Sequence, residues 1–270
     1  ESVTAFLVTL LVFFLVGGLS GPRIFWWVLA GVTAGITILC RPEYFLFPIF
    51  LAAGLSFFLI KKEPFIVKKT AIFILFAFLT VSPWTVRNYR AFHQLIPVTA
   101  TGAWGNFYLG MIINKSNWSG WEKLPDSAFT DPVERDKANK LYREFSEKMG
   151  SASVAEIKAM DGVYRKLALE RFSQRPWDCL GNWFRNLPRL WYQDYIPIYL
   201  YREASGGFFI FYFIFALAAF AVIPAQGRIL ALPAAFLFFY LNFLFFPLYI
   251  EPRYGVAAMP AMISLAGIAN

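Results

Sequence analysis

Seven long runs of uncharged, apolar residues limit what this chain can fold into. Each run approaches the length of roughly 20 residues that an α-helix needs to cross the hydrocarbon core of a bilayer. Only 16% of the residues are charged, against roughly a quarter in soluble domains. We therefore predict an all-α polytopic membrane protein. The predicted spans are Ser2–Leu19, Ile24–Leu39, Tyr44–Ile60, Thr70–Trp84, Gly207–Ile223, Ile229–Ile250 and Tyr254–Ala269.

Positive charges in the short loops predict the orientation of these spans. Four lysines, Lys61, Lys62, Lys68 and Lys69, separate the third span from the fourth, and Arg23 and Arg228 lie in loops of the same parity. The positive-inside rule places these loops on the cytoplasmic side. We therefore expect four spans in residues 1–84, a mainly helical extracytoplasmic loop domain in residues 85–205, and three spans in residues 206–270.

The net charge of +8 does not by itself indicate a nucleic-acid partner. Of the 25 basic and 17 acidic residues, 17 and 13 respectively lie between Arg87 and Glu203. Such a mixture is typical of a solvated surface, so no nucleic-acid partner is predicted. Cys40 and Cys179 lack zinc-ligand spacing, and His93 is the one histidine. No metal site and no cofactor are predicted.

Capping patterns predict helices within the polar segment. Asp131 and Pro132 are typical of a helix start, which predicts a helix over residues 132–149. The pair Ser153 and Glu156 forms a capping-box pattern and predicts a second helix that ends near Gln174, before a proline. Residues 177–201 alternate aromatic and basic side chains, which favours a helix in the outer membrane interface. Residues 95–101 are the one segment with β character.

Two further patterns within the predicted spans point to packing and anchoring. Gly31 and Gly35 form a GxxxG step that permits close approach of two helices. Trp26, Trp27 and Trp84 lie near span ends, where tryptophan side chains commonly anchor helices in the membrane interface. The sequence therefore predicts a close helix contact at the glycines and interfacial positions for the three indole rings.

Charged residues recur at the predicted outer ends of the spans. A charge inside a span costs roughly 2.5 kcal/mol or more on insertion scales, so such residues are candidates for function. Arginine donates paired hydrogen bonds to phosphate oxygens and keeps its charge. The alternative is that these arginines pair with the nearby carboxylates or anchor the helices at lipid phosphates. The candidate residues for binding a donor phosphate are Arg41, Glu43, Arg87, Asn88, Glu251, Arg253 and Tyr254.

Several short strings resemble the membrane glycosyltransferases of the GT-C superfamily, and most closely the protein O-mannosyltransferase and aminoarabinose transferase group. These strings are Cys40-Arg-Pro-Glu43, Pro83-Trp-Thr-Val-Arg-Asn-Tyr89, Ile96-Pro-Val-Thr99, Gly102-Ala-Trp-Gly-Asn-Phe-Tyr-Leu-Gly110 and Glu251-Pro-Arg-Tyr254. Their order along the chain matches the predicted topology. The chain departs from the pattern at Phe92-His93, where relatives commonly have Phe-Gly, and at Met111-Ile112, which replaces a more polar run.

The resemblance implies transfer of one sugar from a polyprenyl-phosphate donor to an extracytoplasmic lipid, glycan or protein acceptor. It also implies an integral protein of the bacterial cytoplasmic membrane, in which Arg41, Arg87 and Arg253 hold the lipid phosphate. The family's catalytic carboxylate lies in an early extracytoplasmic loop, and no carboxylate here matches it. We therefore leave the catalytic residue unassigned, expect it upstream of Glu1, and expect this C-terminal fragment to be inactive alone.

Two other functions stay open on the sequence. A lipid-linked oligosaccharide ligase or polymerase shares many spans, a large outer loop and outer arginines. An acidic residue in a short first outer loop would favour the monosaccharide transferase instead. A non-catalytic transporter or scaffold would be supported by charges at midplane depth or by broken helices, and the predicted spans contain neither.

Overall fold

The computed structural model describes residues 2–99, 103–112, 132–148, 153–186 and 225–248. All regular elements in these ranges are helices. A 3₁₀ turn at Pro42–Tyr44 joins the second and third of them. The helices are α1 (Ser2–Ser20), α2 (Ile24–Cys40), α3 (Phe47–Leu59), α4 (Ile66–Phe92), α5 (Ala103–Ile112), α6 (Pro132–Lys148), α7 (Val154–Gln174), α8 (Pro176–Asn186) and α9 (Ala225–Phe245).

Three helical segments are long and apolar enough to cross a membrane, which indicates an integral membrane protein. They are Ser2–Ser20, Pro42–Leu59 and Ile66–Phe92, and shorter apolar helices lie at Ile24–Cys40 and Ile229–Phe245. The first four predicted spans and the sixth therefore coincide with apolar helices. The predicted spans at residues 207–223 and 254–269 lie outside the described residues.

The chain divides into two compact units. Unit 1 comprises Glu1–Thr99, Gly206–Asn242 and Arg253–Asn270, and its described helices are α1 to α4 and most of α9. Unit 2 comprises Ala100–Ser205 and Phe243–Pro252, and it contains α5 to α8.

The helices of unit 1 alternate in direction. In α1 and α2, Gly18 accepts a hydrogen bond from Trp27, so the hairpin closes at this end. In α3 and α4, the hydroxyls of Ser56 and Thr70 lie 3.3 Å apart near the corresponding turn. We call the end with these two turns the lysine end. Lys61 and Lys62 lie in the loop from α3 to α4, and Lys68 and Lys69 lie in the first turn of α4. The opposite end, where α2 and α4 finish, is called the arginine end.

The glycine step of α2 brings this helix into direct contact with the backbone of α4. A Cβ atom on Gly31 would lie 2.6 Å from the Phe73 carbonyl oxygen, and one on Gly35 would lie 2.6 Å from that of Ala77. Later residues of α2 meet later residues of α4, so the two helices run parallel. The predicted packing role of the GxxxG step is confirmed, because no side chain larger than hydrogen fits at this contact.

Helix α4 is longer than the predicted span over residues 70–84. It starts at Ile66, passes through Pro83 and continues to Phe92. Proline cannot donate to the carbonyl four residues earlier. The Ser82 hydroxyl donates to the Leu79 carbonyl instead, at 2.8 Å. The predicted span therefore covers only the apolar part of a longer helix, which continues past its proline with this local side-chain bond.

The segment after α4 is a loop, so the predicted β character of residues 95–101 is not found in its described part, residues 95–99. His93 ends α4 in the left-handed conformation, with φ 51°, and its N–H bonds to the Tyr89 carbonyl. Glycine adopts this conformation without strain, whereas other residues do not. At His93 the chain turns, so the loop that follows lies against the side of α4 and does not form a strand.

Trp27 is buried, so its predicted role as an interfacial anchor is wrong. Its ring is fully enclosed between α1 and α2, and its indole N–H donates to the Gly18 carbonyl at 3.1 Å. A tryptophan at the membrane interface gains a hydrogen-bond partner for its N–H, but the N–H of Trp27 already has one inside the bundle. The neighbouring Trp26 packs against Phe13 and Phe14 and is only partly buried.

Aromatic side chains form the core of unit 2. Trp183 of α8 packs against Phe107, Phe172 and Phe246, with ring centroids 5.5 to 5.8 Å apart. The amide of Asn182 donates to the Met111 carbonyl at 2.6 Å and so joins α8 to the end of α5. The core therefore draws together α5, α7, α8 and the residues after α9.

The sequence predictions for this polar region are largely confirmed. Helix α6 matches residues 132–149, and α7 begins with the predicted capping box between Ser153 and Glu156. Pro176 begins α8 instead of only ending α7. Trp177 and Phe184 lie seven residues apart on one exposed face of α8, which fits the interfacial prediction in the described part, residues 177–186. Helix α5 was not predicted.

Candidate functional site at the arginine end

The Arg41 turn follows directly from the end of α2. Arg41 leaves the helix in an extended conformation, while its N–H still bonds to the Thr37 carbonyl at 2.8 Å. Pro42 then starts the 3₁₀ turn that reverses the chain into α3. This geometry places Arg41 and Glu43 side by side, with Nη1 of the arginine 3.3 Å from Oε1 of the glutamate. Both side chains are about 21% exposed, so the pair lies at the border of the helix bundle.

Arg87 and Asn88 lie on the last turns of α4 and have different surroundings. Arg87 is exposed, and its guanidinium carbon lies 4.7 Å above the Trp84 ring. Its Nη1 donates to the Asn88 side-chain oxygen at 3.3 Å. Asn88 is buried, and its amide donates to the carbonyls of Ile96 at 3.1 Å and Val98 at 3.4 Å. Asn88 therefore links the arginine to the loop that follows the helix.

Two more side chains hold the same loop against α4. The indole of Trp84 donates to the Val98 carbonyl at 3.0 Å, and the Thr85 hydroxyl donates to the Pro97 carbonyl at 2.9 Å. These two hydrogen bonds satisfy backbone carbonyls of the loop that would otherwise face an apolar surface. The loop and the last turns of α4 form one hydrogen-bonded structure beside Arg87.

The parallel packing of α2 and α4 puts Arg41 and Arg87 at the same end of unit 1. Gly35 lies against Thr80, since a Cβ atom on the glycine would be 2.5 Å from that of the threonine. Six residues further on, α2 reaches Arg41 and α4 reaches Val86, next to Arg87. Helices advance about 1.5 Å per residue, so the two arginines lie at closely similar depths.

Sequence reasoning missed two tyrosines at this end. Tyr240 of α9 donates its hydroxyl hydrogen to the backbone carbonyl of Glu43, and its ring packs against Phe47 at 5.3 Å. Tyr44 is buried, and its hydroxyl has no hydrogen-bond partner among the described residues. A tyrosine within an otherwise apolar run, as at both positions, is the sequence signal that could have indicated a buried polar atom.

The described part of the site contains two separate pairs at the same end of unit 1, Arg41 with Glu43 and Arg87 with Asn88. The predicted site residues Glu251, Arg253 and Tyr254 lie outside the described residues. Arg41 pairs with Glu43, as expected if the arginines bind carboxylates. Arg87 has no carboxylate within ion-pair distance among the described residues. It can therefore present the remaining N–H groups of its planar fork to an anion.

The described ranges contain no group of three or more histidine, cysteine, aspartate or glutamate side chains arranged to hold a metal ion. The polar chemistry of the arginine end consists instead of guanidinium, carboxylate, amide and phenol groups.

Comparisons with protein-family models, with curated proteins and with solved structures find no match for this chain.

Proposed function

We propose that this chain belongs to an integral-membrane glycosyltransferase that moves a single sugar from a polyprenyl-phosphate donor to an extracytoplasmic acceptor. In this proposal the arginine end faces the extracytoplasmic side of a bacterial cytoplasmic membrane. Arg41 and Arg87 bind the phosphate of the lipid-linked donor, together with Arg253. The proposal assigns no catalytic base, because no carboxylate of this chain corresponds to the one that the resembled family uses.

The observation that carries the proposal is the shared depth of Arg41 and Arg87. An arginine that only anchors its helix can bind any lipid phosphate nearby, at any depth. Two arginines from different helices can share one phosphate group only if they lie at the same depth. The glycine contacts of α2 with α4 set that level, because they fix the register of the two helices. An apolar bundle that ends in guanidinium groups suits an amphipathic donor with a long hydrocarbon chain and an anionic head.

The two arginines have different tasks in this proposal. Arg87 contacts the phosphate directly, because its fork is exposed and lacks a carboxylate partner among the described residues. Arg41 already donates to Glu43, so the carboxylate orients it and lowers its net attraction for a second anion. Asn88 positions Arg87 through its side-chain oxygen while it fixes the following loop.

Binding of undecaprenyl phosphate to the detergent-solubilised chain tests this site separately from catalysis. Arg87→Ala should weaken binding about tenfold or more, because a charge-assisted hydrogen bond contributes roughly 1.5–3 kcal/mol. Arg87→Lys should recover only part of the affinity, since lysine keeps the charge but loses the planar fork. Undecaprenol, which has the same hydrocarbon chain without phosphate, should bind equally to all variants.

Arg90→Ala is the matched control for this experiment. Arg90 is exposed and lies on the last turn of the same helix, but it is not part of the proposed site. Unchanged affinity for undecaprenyl phosphate in both Arg41→Ala and Arg87→Ala would overturn the proposal. An equal loss in Arg90→Ala would do the same, because it would reduce the effect to general surface charge.

A further inference from the structure

A cavity of about 400 Å³ lies at the lysine end of unit 1. It is bounded by the turn from α1 to α2 and by the loop from α3 to α4, and both charged and apolar side chains line it. The charged ones are Glu63, Lys68 and Lys69. The arginine-end site lies at the opposite ends of the same helices, so this cavity is a separate feature of the bundle.

Lys69 is a buried cation that lines this cavity. Its side chain is only 9% exposed, although lysine is almost never buried without an anionic partner. The ammonium group donates to the Gly21 carbonyl at 3.3 Å, and the Glu63 carboxylate lies 3.7 Å away. The first bond is long and the second distance exceeds that of a hydrogen bond. An ammonium group has three N–H donors, so this one can still donate to an anion in the cavity.

The start of helix α4 adds a second attraction for anions. Phe65 and Lys68, in the first turn, line the cavity. No side chain caps this end of the helix, and its first turn contains no acidic residue. The first N–H groups of a helix and its dipole favour a negative charge, most strongly a phosphate. An anion in the cavity is therefore favoured by the buried Lys69, by the exposed Lys68 and by the start of α4.

The apolar wall of the cavity favours a lipid over a soluble anion. Phe65 is 66% exposed and Ile24 is 42% exposed, and both line the cavity. Ile24 begins the apolar helix α2, and Phe65 directly precedes α4, a helix apolar enough to cross a membrane. An anion with hydrocarbon chains would cover this surface, whereas free phosphate would leave it in contact with water.

We propose that the cavity between the α1–α2 turn and the α3–α4 loop binds the phosphate of an anionic phospholipid. Lys69 and the start of α4 hold the phosphate, Lys68 contributes at the open side, and the acyl chains run along Phe65 and Ile24. Glu63 holds Lys69 in place and limits the site to a singly charged headgroup. The proposal does not depend on sugar transfer and concerns the opposite end of the bundle.

Native mass spectrometry of the whole chain in detergent tests this site. Dioleoyl phosphatidylglycerol and dioleoyl phosphatidylcholine would be titrated separately, and the affinity of the first bound lipid measured. We expect phosphatidylglycerol to bind about tenfold more tightly, because each nearby lysine favours an anionic lipid by roughly 1 kcal/mol. Lys69→Gln should remove most of this preference. Lys68→Gln, at an exposed position that should tolerate change, should weaken phosphatidylglycerol binding about fivefold.

Lys61→Gln and Lys62→Gln are the matched controls. They remove the same charge from the loop that precedes α4, but neither residue lines the cavity, and both are exposed. Their affinity for phosphatidylglycerol should stay within about twofold of the unaltered chain. If they weaken binding as much as Lys68→Gln does, the lipid is held by general loop charge and the proposal fails.

Glycerol phosphate distinguishes a lipid from a soluble anion. It should not displace bound phosphatidylglycerol at millimolar concentration, because it lacks the acyl chains that cover the apolar wall. Displacement at that concentration would identify a soluble-anion site and overturn the proposal. Equal affinities for the two phospholipids would overturn it as well. Loss of undecaprenyl phosphate binding in Arg87→Ala alone would leave this lipid site unaffected.

Discussion

The two units of this protein differ in the contact that joins their central helices, although each contains aromatic pairs and a close glycine contact. In unit 1, backbone meets backbone where Gly31 and Gly35 let α2 approach α4. In unit 2, large aromatic rings around Trp183 fill the space between helices. Apolar surfaces gain little by leaving lipid, so membrane helices depend on close van der Waals contact. Helices in water gain most from burying large apolar side chains, which is the packing expected if unit 2 lies outside the membrane as the sequence predicts.

The helix ends differ in the same way. In unit 2, Ser153 and Glu156 cap the start of α7 reciprocally, with hydrogen bonds at both the serine side chain and its backbone. No side-chain hydrogen bond caps the starts of α2, α3 or α4 in unit 1. A polar helix competes with solvated alternatives at its ends, whereas a helix of membrane-spanning length is set mainly by its apolar run.

Trp183→Ala should have the largest effect and would test the aromatic core of unit 2. Removal of a buried tryptophan typically costs about 3–5 kcal/mol. Three ring contacts are lost here, so the free energy of unfolding should fall by that amount. Hydrogen exchange in detergent should speed up in peptides from α5, α7 and α8. Trp177→Ala, at an 81% exposed position of the same helix, should change stability by less than about 0.5 kcal/mol. Equal effects would contradict this view of the core.

Gly35→Ala tests the backbone contact of unit 1 with one added methyl group. The new Cβ atom would lie 2.5 Å from the Thr80 Cβ atom and 2.6 Å from the Ala77 carbonyl oxygen. The helices must separate, which should cost about 1–3 kcal/mol in thermal unfolding measured in detergent. Gly162→Ala in α7 is the matched control, because nothing lies within 4 Å of its added Cβ atom. It should stabilise by about 0.5–1 kcal/mol, so opposite signs are expected.

Ser153→Ala should lower stability by about 1 kcal/mol, because it removes a side-chain cap. The effect should appear as faster hydrogen exchange at the first turn of α7. Ser173→Ala, near the other end of the same helix, removes an exposed hydroxyl that bonds only to the Glu170 carbonyl. It serves as the control and should be nearly neutral. Matching losses would show that the capping box does not set this boundary.

His93→Gly should give the smallest change and should raise stability by about 0.5–1 kcal/mol. His93 occupies a left-handed conformation at the end of α4, which glycine adopts at little cost. His93→Ala keeps the strain and should not stabilise. A melting temperature that falls in His93→Gly would indicate that the imidazole makes a contact that outweighs the strain.

Hydrophobic patterns and helix signals in the sequence were sufficient for much of the fold. The apolar runs predicted α1, α2, α3, α4 and α9, since helix length and the absence of charge are local properties. The capping box predicted the start of α7 for the same reason. The prediction failed for Trp27, whose acceptor lies on the preceding helix, and the predicted span did not give the full extent of α4, which continues past its proline with a local hydrogen bond. Ser82 satisfies a carbonyl that proline leaves open, and Gly18 offers an acceptor to the indole.

At the candidate site too, some features could be predicted from the sequence and others depend on the tertiary structure. The sequence identified Arg41, Glu43, Arg87 and Asn88 as polar residues next to apolar runs, which needs no tertiary information. It offered pairing of the arginines with nearby carboxylates as an alternative, and Arg41 does pair with Glu43, two residues on. It could not place Tyr240 on the Glu43 carbonyl, 197 residues away in the chain. Pairing at such distances depends on which helices pack together, and many arrangements satisfy the same apolar pattern.

The sequence by itself determined that the chain forms apolar helices of membrane-spanning length, with lysines in one loop and arginines at the opposite helix ends. Charge and hydropathy act residue by residue, so their distribution can be read directly. Only the tertiary structure decided that α2 and α4 run in contact at Gly31 and Gly35, which brings Arg41 level with Arg87. It also decided that Lys69 is buried beside a cavity instead of exposed with its neighbours. Depth and burial depend on helix register, and register is set by contacts between residues far apart in the sequence.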